Sequence, residues 1–429
     1  MLGSNGRSGP RREAQRVPGQ EENNPLRLTD AQLGIWFAQA IDPSSPAHNL
    51  AEYIEITGPV DPLLFETAVR TVVDATEALR VGFVSDGAEG PYQIVGTPPD
   101  WRMSFVDVSE AADPRAAAEL WMRSDLAEPV DLASGPFLTQ ALFEAAPDRF
   151  FWYSRYHHIV MDGFGFALIA RRVAEVYTAI AAGQSADVGT LGSFAALLEE
   201  ETAYRASSRF EHDRRFWMET LADLPQPTTL SGRSSQKTTA PMRAQGADFL
   251  RRTDFLPGIT TERLRAIAER TGASLPQVVT AAAAIFLHRM TGAVDVVLDV
   301  PVTARMSPIA RSTPSMLSNS LPVRLKVRPD MTVAQLAGDT ARVMRQVFRH
   351  QRYDISNIRR DIGRVDAHQR VLGPTVNFMP FDYDLRFAGH PASAHNLTNG
   401  QVDDLSMVLY DRSDDRELRI DFNCNPALY

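Results

Sequence analysis

The stretch from Tyr156 to Gly163 (YHHIVMDG) holds the residue types best suited to chemistry. Two adjacent imidazoles, His157 and His158, precede the pair Asp162-Gly163, with Asp162 four residues after His158. A neutral imidazole can accept a proton or hydrogen-bond an attacking amine near neutral pH. An aspartate can hold a nearby group by charge, and a glycine lets the backbone turn tightly at the start of a helix. The combination points to acyl transfer.

The flanking residues must position this group. The run Phe150 to Tyr156 predicts a strand that delivers the histidines at its end, and Pro147-Asp148 predicts a hairpin turn before it. Side chains alternate along a strand, so only one imidazole can face a given cavity. After the motif, Phe166, Ile169, Val173, Val176 and Ile180 recur at helical spacing. Asp162 and Gly163 are therefore expected at a helix N-terminus, where free N–H groups and the helix dipole favour negative charge.

The bulk composition narrows the classes. With 429 residues, 44% hydrophobic and 23% charged, the chain can build two or three domains, or two large lobes. The formal charge of −9 argues against nucleic-acid binding, which needs a basic face. The single cysteine, Cys424, allows no intramolecular disulfide and suits the cytoplasm. No apolar run approaches 18 residues, so no membrane helix is expected.

Residues 1–24 read as a disordered tail or linker, rich in Gly, Ser, Pro, Arg and Glu. Order is expected from Pro25, with Thr29 capping a helix whose apolar set is Ala31, Ile35, Trp36 and Ala38. Tyr53, Ile54 and Ile56 predict a strand, and Asp61-Pro62 a helix start. A lobe boundary falls at Ala182 to Ala186. This gives an N-terminal lobe over 25–185 and a C-terminal lobe over 186–429. In the second lobe, helices are expected around Phe194 to Tyr204, Phe216 to Leu224 and Leu264 to Ala268. An exposed loop is expected at Ser231 to Thr239, a buried helix from Leu275 to Met290 and a buried strand from Val294 to Val302. The fold class is α/β with mixed or antiparallel sheets.

From residue 25 onward the sequence resembles the condensation domains of nonribosomal peptide synthetases. Five segments in order carry this: Leu28 to Trp36, Glu77 to Phe83, His157 to Gly163, Val294 to Arg305 with Met316 to Arg324, and His350 to Asp354. Spellings such as RYHH, HQRYD and VNFMPFDYDL are similar to the siderophore-assembly branch. Gly165 departs from the family, where many members carry serine, and Ser318-Asn319-Ser320 replaces a more usual Val-Asn-Thr. The chain also stops where the family continues into a final helix.

The resemblance implies two chloramphenicol-acetyltransferase-like lobes in a V-shaped pseudo-dimer with a central tunnel. It implies amide-bond formation between a donor acyl or peptidyl thioester and an acceptor aminoacyl thioester. Both arrive on phosphopantetheine arms of donor and acceptor peptidyl carrier proteins, and no cofactor is bound permanently. An adjacent adenylation domain is implied in the parent synthetase.

His158 is implied as the tunnel-facing imidazole, acting as base or as positioning group, with His157 packing away from it. Asp162 is expected as an anchor paired with Arg305. Gly163 is expected to permit the turn, with its N–H a candidate for the developing oxyanion. Asn319 is expected either to line the tunnel or to bond at the strand end, and Arg80 to brace the motif from within the first lobe. The run Arg342, Arg345, Arg349, Arg352, Arg359 and Arg360 reads better as a solvated helix face than as a carrier contact. Phe164, Phe166 and Tyr156 read as core. An epimerisation domain shares the histidine motif but resembles EGHGRE where this chain has PVTAR. A heterocyclisation domain would begin its site with Asp. A docking domain without catalysis, or an acyltransferase using coenzyme A thioesters, are the remaining alternatives.

Overall fold

The computed structural model describes residues 25–85, 90–96, 101–186, 189, 191–231, 249–364, 370–379, 384–411 and 417–429. The expected tail at 1–24 and nearly all of the expected loop at 231–239 lie outside these residues. The strands in chain order are β1 (Leu26–Arg27), β2 (Asn49–Thr57), β3 (Val81–Ser85), β4 (Pro91–Val95), β5 (Ser104–Asp107), β6 (Leu138–Ala146), β7 (Arg149–His157), β8 (Leu250–Leu256), β9 (Asp295–Val302), β10 (Asn319–Lys326), β11 (Thr375–Met379), β12 (Leu385–Phe387), β13 (His390–Thr398), β14 (Leu405–Tyr410) and β15 (Leu418–Cys424). The helices are α1 (Asp30–Ile41), α2 (Pro62–Ala75), α3 (Pro114–Leu126), α4 (Gly163–Ala181), α5 (Phe194–Arg205), α6 (Ser208–Thr220), α7 (Gly258–Thr271), α8 (Leu275–Thr291), α9 (Pro308–Ser312), α10 (Val333–Arg349) and α11 (Ile355–Asp361).

Two six-stranded sheets organise the chain. The first has the order β12-β13-β2-β7-β6-β5 and the second β10-β9-β11-β14-β15-β8. A small sheet, β1-β4-β3, flanks the first lobe. One face of the first sheet packs on α2 and α4 through Phe65, Val69, Trp152, Phe166, Ile169 and Val173. Its other face packs on α3 through Ala118, Met122, Phe143 and Tyr153. The second sheet buries Leu298, Val300, Leu321, Val376 and Ile420 with residues of α8 and α10. β9 is buried as its run of apolar residues predicts.

The division at 185/186 does not describe the sheets. β12 and β13 come from residues 385–398, yet β13 pairs antiparallel with β2 of the first sheet, Ala394 opposite Ile54. Phe387 then sits fully buried between Phe65, Trp152 and Tyr177. The segment gave no sign of its destination, because strand pairing partners are set by long-range packing. Other elements also shift. The second helix of the C-terminal half runs over 208–220 rather than 216–224, because Ser207 caps it earlier. Helix α1 begins after the Thr29 cap as expected, but its fully buried residues are Gln32 and Gln39 rather than the apolar set. No helix among the described residues is long and apolar enough to cross a membrane.

Candidate active site

Strand β7 pairs with β2 along its length and ends at His157, opposite Asn49. The chain reverses over His158 to Met161 and enters α4, whose N-cap is Asp162 in an extended conformation (φ −110°, ψ 174°). The two imidazoles diverge here. His157 is buried, and its Nδ1 accepts the Ile159 N–H at 3.3 Å. That leaves Nε2–H to donate to Gln39 Oε1 at 3.4 Å. Gln39 is itself fixed, because its amide nitrogen donates to the carbonyls of Asp42, Pro43 and Ser45. Burial, with the neighbouring His48, His158 and Arg155, pushes the His157 pKa down to about 3.

His158 is half-buried and lines a cavity of about 780 Å³ that takes its walls from both halves of the molecule. Its Nδ1 lies 3.0 Å from the Met161 carbonyl oxygen. A carbonyl only accepts, so Nδ1 carries the proton and Nε2 keeps its lone pair. Burial lowers the His158 pKa, against the raising effects of Asp162 and of the bond to Met161. The ring is thus held neutral with one tautomer selected. His48 lines the same cavity, and its pKa falls to about 4 through burial and the nearby His158. Its carbonyl also accepts the His158 backbone N–H at 2.7 Å.

The Asp162 carboxylate is saturated. Oδ1 accepts from Arg305 Nη2 at 2.9 Å and from the Gly165 N–H at 2.8 Å. Oδ2 accepts from Arg305 Nη2 at 3.0 Å and from the Leu317 and Ser318 N–H groups at 3.0 and 2.9 Å. Both side chains of the ion pair are almost fully buried, at 1% and 2% exposure. Arg305 also donates to the carbonyls of Ala310, Thr313 and Ser315, and its guanidinium stacks on Phe164. The pair therefore ties the motif to the β9–β10 connection of the second lobe. A carboxylate so occupied has no free oxygen for proton transfer.

Gly163 was expected to permit the turn, but its φ is not positive and it occupies the first position of α4. The reversal is made before it, and Gly163 instead lines the cavity. Gly165 is closely packed. A Cβ there would lie 2.4 Å from Met161 Sδ and 3.0 Å from the Ser315 backbone nitrogen. A side chain at this position requires the Met161 side chain to swing aside and the Ser315 backbone to give slightly.

Asn319 lines the cavity and is also a strand-end bonder. Its amide nitrogen donates to the Gln351 and Tyr353 carbonyls, and its oxygen accepts from the Ser320 and Ile355 N–H groups. Among the described residues no hydrogen bond joins the Arg80 side chain to the histidine motif. Its described bond is Nη1 to the Gly96 carbonyl at 3.5 Å, within the small sheet's loops. Tyr156 and Phe166 line the cavity but are buried in the first-lobe core. The arginine run does not form one face: Arg352 pairs with Glu200 and Glu201, Arg342 with Asp339, and Arg359 lines the cavity.

Sequence reading missed the two glutamines of α1. Gln32 donates to the Ile159 carbonyl at 3.1 Å and Gln39 holds His157, so one helix supports both sides of the histidine turn. Their spacing of seven puts both on one helix face, which was the available signal. His48 carried no such signal.

The family described as Condensation domain matches residues 22–429. A dimodular nonribosomal peptide synthase of Bacillus subtilis is 45% identical over 402 residues, covering 94% of this chain and 16% of that protein. Enterobactin synthase component F of Escherichia coli O157:H7 is 32% identical, covering 90% of this chain and 29% of that protein. The chain therefore spans less than a third of the length of these curated relatives. Among solved structures, the starter condensation domain of rhizomide synthetase, in complex with C8-CoA and Leu-SNAC, superposes with a TM-score of 0.87 at 41% identity. That match covers 94% of this chain and 90% of the other.

Proposed function

The chain belongs to the condensation-domain family of nonribosomal peptide synthetases, and from that membership we propose that His158 meets the attacking amine in its amide-forming reaction. Condensation domains join an acyl thioester to an aminoacyl thioester. The acceptor's amino group, with a pKa of about 8, must give up its ammonium proton. Its lone pair then attacks the donor carbonyl. The C–N bond forms, the C–S bond breaks, and the donor arm leaves as a thiol after taking up a proton.

The observation that carries this reading is the fixed tautomer of His158: Nδ1–H is committed to Met161, leaving Nε2 as an acceptor beside the cavity. Nε2 can hold the amine in line and take its second proton as the tetrahedral adduct forms. The N-terminus of α4, where Gly163 lines the cavity, puts the positive end of a helix dipole near the developing oxyanion. Asp162 and Arg305 hold the loop rather than take part in the proton transfer.

The donor and acceptor thioesters are carried on the phosphopantetheine arms of two peptidyl carrier proteins, which approach opposite mouths of the cavity. An adenylation domain beside this segment loads the acceptor, and the assembly works in the cytoplasm. The rhizomide relative's complex with C8-CoA and Leu-SNAC supports an acyl and an aminoacyl thioester sharing one cavity. The likeness to enterobactin synthase supports a siderophore as the class of product.

The test mixes both loaded carriers with the protein and follows the mass of the acceptor arm. Wild type should transfer the acyl group. His158→Ala should lose about a hundredfold or more at pH 7. It should lose less at pH 9, where the amine is neutral unaided. An unchanged yield in that variant, with wild type active, would remove His158 from the reaction.

A further inference from the structure

The second sheet presents an unusual face to the cavity. Asp299 of β9, Thr375 of β11, Ser406 of β14, Asn423 of β15 and Arg251 of β8 are register partners in one row across five strands. Register partners share a face, so this row is polar, while Leu298, Val300 and Val376 are buried in the second-lobe core, Val300 and Val376 also reaching the cavity wall. Four of the five, Asp299, Thr375, Ser406 and Asn423, line the cavity. Arg251, at the far end, is occupied by Asn423 and the Asn396 carbonyl.

Asp299 is not satisfied by this row. It is 8% exposed. Its Oδ2 accepts from the Thr375 hydroxyl at 2.9 Å, but its Oδ1 is buried with no hydrogen-bond partner among the described residues. Burial pushes its pKa up to about 6, against the opposing effects of the bonded Thr375 hydroxyl and of the Ser320 hydroxyl, which lies nearby but makes no hydrogen bond of acceptable geometry to Oδ1. A buried carboxylate oxygen without a partner costs stability.

We propose that Asp299 determines specificity: its Oδ1 accepts a hydrogen bond from a hydroxyl, amide or ammonium group on the side chain of an aminoacyl substrate. The proposal rests on the reading that the cavity holds thioester substrates. A side chain that donates to Oδ1 completes the polar row, whereas an aliphatic side chain of the same shape leaves Oδ1 buried and unpaired. Discrimination by a site of this kind is strong, because the penalty falls on the wrong ligand.

Aminoacyl amide analogues of pantetheine provide the test, with binding measured by calorimetry. The pairs are threonyl against valyl and ornithyl against norleucyl, in which only the donor group changes. Wild type should favour the donor-bearing member of at least one pair by about tenfold to a hundredfold. Asp299→Leu should abolish that preference and bind the aliphatic members as well as or better than wild type. Its melting temperature should be unchanged or higher. Asp299→Asn should weaken the ornithyl analogue more than the threonyl one. Equal binding of both members of each pair to wild type would overturn the proposal while leaving the cavity reading intact. An equal loss for all analogues in Asp299→Leu, with a lower melting temperature, would make Asp299 a structural residue. Failure of every analogue to bind wild type would remove the cavity reading, and the proposal with it.

Discussion

At the scale of single residues, the site separates a side chain that is free to react from side chains that are fully committed. Asp162 and Arg305 stand 143 positions apart in the sequence yet share two hydrogen bonds, with three backbone N–H groups completing the carboxylate. Removing one partner leaves an uncompensated buried charge, so Asp162→Ala and Arg305→Ala should each cost about 3–5 kcal/mol in urea unfolding. The double variant should cost less than the sum, since the second removal takes away a charge already unpaired. Additive losses would mean that the two groups do not stabilise each other. The pairing of Asp162 with Arg305 was legible only through family resemblance. The backbone N–H groups of Leu317 and Ser318 were not, because a peptide N–H carries no residue-type signal.

At the scale of elements, the histidine turn depends on partners from four directions. β2 pairs with β7, α1 supplies Gln32 and Gln39, α4 supplies the capped N-terminus, and the β9–β10 connection supplies Arg305 and Ser315. The amphipathic pattern of α4 and the apolar run of β7 were readable because each is a local periodicity. The route of residues 385–398 into the first sheet was not, since a pairing edge can be filled by any compatible strand. Phe387 shows how much that crossing matters, being fully buried against Phe65, Trp152 and Tyr177 of the N-terminal half. Phe387→Ala should therefore destabilise the first lobe by about 3–5 kcal/mol, read as a lower denaturant midpoint for Trp152 fluorescence. A midpoint unchanged from wild type would show that β12 adds nothing to that core.

At the scale of the whole molecule, titratable groups in and beside the cavity are displaced by burial from their ordinary values. His157 and His48 are held neutral, with pKa values near 3 and 4. Asp299 and Asp354, both lining the cavity, are raised to about 6. For the histidines the folded pKa lies below the unfolded value of about 6.5. Their contribution is thus present above pH 6.5 and lost as the pH falls toward the folded values. For the two carboxyls the folded pKa lies above the unfolded value. Their contribution is absent at pH 7 and grows as the pH falls through about 6, reaching its full value below about pH 4. The two sets oppose each other between pH 6 and 4. Comparison with His157→Gln isolates one term. The stability advantage of wild type over this variant should shrink by about 2 kcal/mol between pH 7 and pH 4.5 in urea melts. A constant difference would mean that His157 is protonated as readily in the fold as out of it.

The sequence by itself determined the local features: a strand delivering the histidine pair at its end, a helix opening on Asp162, and an α/β chain of net negative charge. These depend on periodicity, capping and composition, which act over a few residues. Only the tertiary structure decided which backbone groups saturate Asp162, which glutamines support the histidine turn and where β13 docks. Those outcomes follow from contacts between segments more than a hundred residues apart, and chain order does not encode which surfaces will meet.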